Sequence, residues 1–453
     1  MIPLSFRQAA QAAGGVTSLD GRFDSVSTDS RNITPNCLFI ALPGEKFDGH
    51  NFAAKALEDG AGAVVVERDL GLGDRQILVR STGQALLDIA GCYRSLFNIP
   101  VVGVTGSVGK TTTKEMIYTV LSSKYKTLKN EGNLNNEIGA PKTLFGLDPS
   151  HGAAVIEMGM SAKGEISRIT HAVRPGIAVI SNIGVSHIEN LGSREGILSA
   201  KLEILEGMEP SSPVILNGDD DMLSKADTGS HPAIYYGLTN SSCAYSAFNI
   251  TSTDGETVFA CGFDGGPVKA CLPFTGRHNI YNALAAVAVG AQLGIEPAQS
   301  LEALKKYEPT GMRQRIVKKG GFTFIEDCYN ASPDSQKAAM SVLGSMEAGR
   351  KIAVIGDMLE LGDYSEKAHS LVGTYAAENN IDILFTYGER TLASAKSAKA
   401  GGLFDVRSFT DKRELADSLW DELRPGDAVL FKASRGMKLE EIIYMIYDRI
   451  DAE

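Results

Sequence analysis

Apolar positions fall in short runs along the chain, each closed by glycine or polar residues. In the first half the runs are Cys37 to Ala41, Ala63 to Glu67, Val101 to Thr105, Ala153 to Met158, Ile177 to Ile183 and Val214 to Asn217. Beyond a Pro–Gly turn at Glu308 to Arg313 they are Phe322 to Glu326, Lys351 to Ile355, Ile381 to Tyr387 and Ala428 to Phe431. Runs this short, bounded this way, read as buried strands. Between them lie segments with helical spacing: Ser5 to Ala13 with Ser5 as N-cap, Ala53 to Asp59, Gln84 to Phe97, Lys114 to Leu121, Ser193 to Met208 and Ala283 to Gly294. Strands alternating with helices predict an α/β fold of mostly parallel, doubly wound sheets. Ligands of such sheets sit beyond the carboxyl ends of the strands. The pattern divides the chain into three sections, 1–97, 98–308 and 309–453.

Composition narrows the class. The 453 residues suffice for two to four domains. A formal charge of −11 argues against a general nucleic-acid or anionic-membrane surface. The six cysteines are scattered without a close pair, which argues against a disulfide framework or a zinc site and favours a reducing compartment. The first residues lack a basic segment followed by a long apolar one. No apolar run approaches the ~18–20 residues of a membrane span. The expectation is a cytoplasmic enzyme acting on small molecules.

The chemistry begins at Thr105-Gly106-Ser107-Val108-Gly109-Lys110-Thr111-Thr112. An apolar strand precedes it and a helix pattern follows, the setting of a phosphate-binding loop. Glycines allow backbone N–H groups to turn inward, and the helix N-terminus adds free donors and partial positive charge. Lys110 then reaches the β- and γ-phosphates, and the Thr111 hydroxyl is placed to ligate Mg²⁺. The glycine that usually opens this motif is replaced by Val104, so only the compact core remains.

Other polar residues fall at strand ends or in loops, and residue chemistry alone leaves each of them two readings. Glu157 is either a Mg²⁺ ligand or a solvated strand-end carboxylate. His187 is a loop imidazole, less usual as a Mg²⁺ ligand. Lys201, alone on a helix, reads as a solvated charge. Asn282 either pairs with an adenine edge or is an ordinary residue of a first helical turn. Asp219, Asp220 and Asp221 read as a turn. Ser30, Arg31 and Lys46 supply donors and charge on loops, for a phosphate or for water. In the third section, Asp327-Cys328-Tyr329-Asn330, Gly356 to Glu360, Gly388-Glu389-Arg390 and Lys432 to Gly436 close four strands and outline one crevice. No Gly-x-Gly-x-x-Gly follows these strands, so a plain dinucleotide site is excluded.

Taken together, the phosphate loop, Ile156-Glu157-Met158-Gly159, Ser186-His187, Ala200-Lys201-Leu202-Glu203, His278-Asn279 with Asn282, and Asp327 to Pro333 resemble, in that order, the Mur ligases. These are the ATP-dependent amide ligases of peptidoglycan precursor synthesis. The resemblance spans all three sections. It implies a small N-terminal α/β domain for the uridyl substrate, a central P-loop ATPase-like domain and a C-terminal Rossmann-like ligase domain. The Thr28-Asp29-Ser30-Arg31 turn, Tyr329 to Pro333 and Ser434-Arg435-Gly436-Met437 are most similar to the member that joins D-alanyl-D-alanine to UDP-N-acetylmuramoyl-tripeptide.

The resemblance also implies roles. ATP is held by Thr105 to Thr112, with Asn282 on adenine, Arg313 on the phosphates and Asp327 on ribose; Arg315 is the alternative to Arg313. One Mg²⁺ falls to Thr111 and Glu157, and a second to His187 and to Lys201 as N6-carboxylysine. Ser30, Arg31 and Lys46 lie near the UDP group. Asn135, Asn136, Tyr329, Asn330, Ser434 and Arg435 line the space between uridyl-peptide and dipeptide. The implied catalytic set is Lys110, Glu157, His187 and Lys201, in a monomer. Two related ligases are the nearest rivals. The one that adds the third amino acid to the dipeptide precursor carries Asp-Asn-Pro-Arg, which is absent here. Folylpolyglutamate synthetase lacks the first domain. A GTPase would need its guanine-reading motif after a strand, and Ser224-Lys225-Ala226-Asp227 follows none.

Overall fold

The computed structural model describes every residue except Glu45, Asp254 and Glu453. Its framework is three sheets of four, nine and six strands, with a two-stranded ribbon, Leu4–Ser5 against Arg22–Phe23, at the start. The four-stranded sheet is parallel and runs from Val26–Ser27 to Gln76–Leu78.

The strand Val101–Thr105 sits inside the nine-stranded sheet, flanked in parallel by Ile177–Ile180 and Ala153–Glu157. Its side chains alternate between faces, as pleating requires. Val102 and Val104 pack with Met116, Ile117 and Val120 of helix Lys110–Leu121 and with the alanine-rich helix Arg277–Gln292. Val101 packs on the other face with Ile166, Ile169 and Val173 of helix Glu165–Val173. Both faces are covered, which explains why the strands read as continuous apolar runs.

The third section repeats this arrangement. Lys351–Gly356, Ile383–Tyr387 and Ala428–Lys432 form a parallel core, extended by Phe322–Glu326 and Asp405–Phe409, with Arg315–Lys319 antiparallel at one edge. Ile325, Ala353 and Leu430 face one apolar layer; Phe324, Val354 and Phe431 face the other.

The structure changes the sequence reading in three places. Ala233–Gly237, Tyr245–Thr253, Glu256–Gly262 and Val268–Leu272 are strands, the last two joined antiparallel to the sheet. The sheet is therefore mostly parallel, with a meander at one edge. The segment 193–208 is not one helix: Arg194–Leu202 gives way to a tighter turn, Glu203–Gly207. Gly207 lies against the Thr170 carbonyl, where a Cβ would come within 2.3 Å of that oxygen, so only glycine fits this close approach. Lastly, the apolar core runs on past residue 97. Helix Thr82–Arg94 places Leu86, Ile89 and Tyr93 in the same cluster as Leu38, Val65, Ile156 and Ile166. Tyr93 ties the layers by donating to the Leu147 carbonyl (2.6 Å) and accepting from the Ile2 N–H (2.8 Å).

Candidate active site

The carboxyl end of Val101–Thr105 opens into the main cavity, about 760 Å³, whose far wall comes from the third section. Ser107 to Thr112 line the near side. Two glycines make the loop possible. Gly106 has φ 145°, and a Cβ there would overlap the Ser181 hydroxyl at 2.0 Å. Gly109 has φ 83°, and a Cβ there would lie 3.0 Å from the Asn282 side-chain oxygen. Asn182 pins the loop through its side chain, accepting from the Val108 N–H and donating to the Val108 carbonyl (2.9 and 3.0 Å). Lys110 Nζ folds back to donate to the Gly106 and Ser107 carbonyls, at 2.7 and 3.2 Å. Burial lowers its pKa, nearby Glu157 opposes that shift, and Arg313 adds to it.

Glu157 is the carboxylate beside the loop. It is 1% exposed. One oxygen accepts from the Thr111 hydroxyl (2.9 Å), the other from the Asn135 amide (2.7 Å). Its backbone is clamped by Asn130, which pairs with its N–H and its carbonyl, both at 2.9 Å. Thr111 and Glu157 thus present two oxygens side by side at a helix N-terminus, a donor set that fits Mg²⁺.

His187 also lines the cavity, on a loop residue with φ 63°. Its pKa is pushed down to about 4, chiefly by burial and then by Lys110 and Lys201, so the imidazole is neutral with a lone pair to offer. Lys201 is 1% exposed and lies off the cavity lining, within electrostatic reach of His187. Burial holds its pKa well below the ordinary lysine value, and its charged neighbour is another cation, Lys110. The sequence reading of Lys201 as a solvated charge is therefore corrected. It is a buried amine with reason to be neutral.

The third section contributes Arg313, Asp327, Tyr329 and Asn330 to the cavity. Arg313 stacks on the Tyr329 ring at 4.0 Å. Arg315 also borders the cavity but is paired with Glu326 at 3.3 Å, which leaves Arg313 the better placed for phosphate. Asp327 is held by Lys432 Nζ at 2.8 Å. Lys432, 2% exposed, also donates to the Asn330 carbonyl at 3.1 Å and so fixes two cavity residues at once. Strand position placed it in the expected crevice but gave it no role.

Other sequence candidates are placed less simply. Asn282 accepts from the Thr113 hydroxyl (3.0 Å) and its amide faces Asn279 (3.3 Å), bracing the loop with part of its hydrogen-bonding capacity. Asn136 lines the cavity while its side-chain oxygen accepts from the Ile138 and Gly139 N–H groups (3.2 and 2.8 Å), just before helix Gly139–Leu144. Ser30, Arg31 and Lys46 are not brought to this cavity. Arg31 is paired with Asp29 on the first section (2.8 Å). Ser434 is off the lining too, its hydroxyl accepting from the Leu359 N–H (3.0 Å). Arg435 pairs with Glu440 (2.8 Å) and approaches the back of Tyr329. Three of the four strand ends expected to outline one crevice reach the cavity, through Asp327, Tyr329 and Asn330, through Glu360 and through Lys432, while Gly388 to Arg390 do not. Asp357, directly after the strand that leads to Glu360, accepts from the Thr391 N–H (2.9 Å). Asp219 to Asp221 form a turn: Asp219 accepts from Leu238 and Asn240 N–H groups, and Asp220 from Ile183 and Leu223.

The loop after Gly356 depends on a neutral histidine. His369 Nε2 accepts the Met358 N–H (2.9 Å) while Nδ1 donates to the Ser365 carbonyl (2.8 Å). Burial lowers its pKa from 6.5, partly offset by Ser365 and Asp357. The unfolded chain therefore takes up this proton first as pH falls. The stabilisation is whole above pH 6.5 and is lost as pH drops toward the folded value. The urea midpoint of the third section should fall between neutral pH and about pH 5, and H369Q, which cannot titrate, should flatten that fall.

Comparison with known proteins agrees with this layout. Residues 22–88 match the model of the Mur ligase family catalytic domain, 104–290 the Mur ligase middle domain, and 312–435 the Mur ligase glutamate ligase domain. The chain is 42% identical to the UDP-N-acetylmuramoyl-tripeptide–D-alanyl-D-alanine ligase of Bacillus subtilis, over 92% of each chain. It superposes on a crystal structure of MurF from Acinetobacter baumannii with a TM-score of 0.93 and 32% identity, covering 98% of this chain and 99% of that one. MurF ligase from Thermotoga maritima in complex with ADP gives 0.87 and 27%, covering 94% and 98%.

Proposed function

Because the chain belongs to the Mur ligase family, we propose that its cavity carries out the reaction for which its curated relatives are named. The protein is an ATP-dependent, ADP-forming ligase. It joins D-alanyl-D-alanine to UDP-N-acetylmuramoyl-tripeptide in peptidoglycan synthesis. The observation that carries this reading is the sharing of one cavity by the phosphate loop, the Thr111–Glu157 pair and the Arg313–Tyr329 wall of the third section.

A carboxylate is a poor electrophile and must be activated. The tripeptide carboxylate oxygen attacks the γ-phosphorus of ATP, ADP leaves, and an acyl phosphate forms. The neutral amine of D-alanyl-D-alanine then adds to the acyl carbon and loses a proton to water, the acyl C–O bond breaks, and phosphate departs with the oxygen that had attacked phosphorus. Lys110 leaves the loop carbonyls to neutralise charge on the β- and γ-phosphates, and Arg313 meets the phosphates from the opposite wall. Asn282 lies near adenine and Asp327 near ribose. Thr111 and Glu157 would hold one Mg²⁺, and His187 and Lys201, as a carbamate, would hold a second. Bound Mg²⁺ supplies charge compensation where two anions must approach. The carbamate forms when the Lys201 amine lone pair adds to CO₂ and a proton leaves to water. That step needs a neutral amine, which burial favours.

Asn135, Asn136, Tyr329 and Asn330 border the path between uridyl-peptide and dipeptide, with Ser434 and Arg435 behind that wall, while Ser30, Arg31 and Lys46 bind toward the UDP end. The three sections, 1–97, 98–308 and 309–453, act as uridyl-substrate, ATP and ligase domains of a monomer. Among the described residues no helix is long and apolar enough to cross a membrane, consistent with action in the cytoplasm. Phosphate release by the pure protein should require ATP, Mg²⁺, UDP-N-acetylmuramoyl-tripeptide and D-alanyl-D-alanine together. Release that ignores the dipeptide and answers to a free amino acid would assign the chain to the tripeptide-forming step instead.

A further inference from the structure

The third section brings two carboxylates to the loop that carries His187. Asp334 lies where a Cβ on Gly184 would be, with its oxygen 2.5 Å from that position. Glu360 reaches His187 itself: Oε2 is 3.0 Å from Nδ1. The two atoms are close but off the hydrogen-bonding direction, so Nδ1 is buried without a hydrogen bond.

Glu360 is built to stand at this spot. It has φ 62°, a strained conformation for a residue with a side chain. The chain before it is fixed by the Met358 N–H on His369 and the Leu359 N–H on the Ser434 hydroxyl. The chain after it turns at Gly362 (φ 47°), where a Cβ would come within 3.0 Å of the Glu189 side chain. A rigid loop of the third section is thus seated on the short helix Ile188–Leu191 that follows His187, with Glu360 at its tip and bordering the cavity.

We propose that Glu360 is a positioning residue for His187, and that it couples the seating of the third section to the metal site. The inference rests on the reading of His187 as a Mg²⁺ ligand. A carboxylate that takes the Nδ1 proton in a hydrogen bond fixes the imidazole tautomer, aims Nε2 and raises its basicity. Here that carboxylate belongs to a different section from the imidazole. His187 is therefore fully oriented only when the third section is in place, as it must be for the dipeptide amine to meet the acyl phosphate. A small rotation of the Glu360 side chain, which is largely exposed, aligns the bond.

Two readouts test this on the full-length protein: Mn²⁺ binding followed by electron paramagnetic resonance with ADP present, and steady-state turnover. E360Q keeps size and polarity but loses the charge. It should weaken Mn²⁺ binding and lower kcat, each by about 10–100-fold. The KM for UDP-N-acetylmuramoyl-tripeptide should stay near normal, and E360D should recover part of the loss. H187A should show at least the same Mn²⁺ defect, and H187A/E360Q should be no worse than H187A alone. If E360Q binds Mn²⁺ normally while H187A does not, the Glu360 inference is overturned and the reading of His187 stands. If the two losses simply multiply in the double variant, Glu360 acts elsewhere and the inference is likewise overturned. If H187A itself binds Mn²⁺ and turns over normally, the reading beneath has failed.

Discussion

K110M should lower kcat by about 10²–10³-fold, the range seen when one preorganised group that meets developing charge is removed. The reason lies in where Lys110 sits. It is the first residue of helix Lys110–Leu121, at the positive end of that helix, and its ammonium lies at the cavity next to Glu157 and Arg313. Its charge is costly to bury and is retained by the loop carbonyls of Gly106 and Ser107. When a triphosphate enters, those weak acceptors are exchanged for phosphate oxygens whose charge grows as the γ-phosphoryl moves. The interaction therefore strengthens toward the transition state, and its loss should appear mainly in kcat and less in the KM for ATP. K110R should not rescue, since a planar guanidinium cannot follow a loop that closes around an ammonium. A kcat within about threefold of the unaltered chain would remove Lys110 from the chemistry.

K201A should be comparably severe, with turnover down about 10²-fold or more. A buried amine beside Lys110, with its pKa held well down, contributes little to stability as an ion. As a carbamate it would place an anion within electrostatic reach of Lys110 and His187, where the structure has an ammonium and a neutral imidazole. Adding bicarbonate to K201A should not restore activity, because the amine that captures CO₂ is gone. The unaltered protein incubated with isotope-labelled bicarbonate should show a carbamate carbon signal that K201A lacks. Near-normal turnover of K201A would eliminate the carbamate, and with it the second metal site as drawn.

Much of this architecture was legible because parallel strands covered on both faces must be apolar throughout. Val101 to Thr105 and Ala153 to Glu157 are of this kind, and the residues that close them then stand out by contrast. The edge meander was not legible. Tyr245–Thr253 is rich in Ser, Thr and Asn because one of its faces is open, and no helix separates it from its neighbours. The candidate site was legible where a cavity residue closes its own strand, as Glu157 does. It was obscure where function depends on burial. Nothing in Leu198 to Ile204 announces that Lys201 points inward rather than to water. Lys432 likewise looks like the last residue of an apolar run, until the fold sets it under Asp327. Contacts between sections, such as Glu360 on His187, join residues far apart in the chain and have no sequence period to reveal them.

The fate of single oxygen atoms gives the most direct measurement. UDP-N-acetylmuramoyl-tripeptide labelled with heavy oxygen in the carboxylate that accepts the dipeptide can be turned over with ATP and D-alanyl-D-alanine. If the loop around Lys110 delivers the γ-phosphoryl to that carboxylate, one labelled oxygen per turnover will be found in inorganic phosphate and the other in the new amide. Label appearing in AMP, or in water with none in phosphate, would contradict activation through an acyl phosphate.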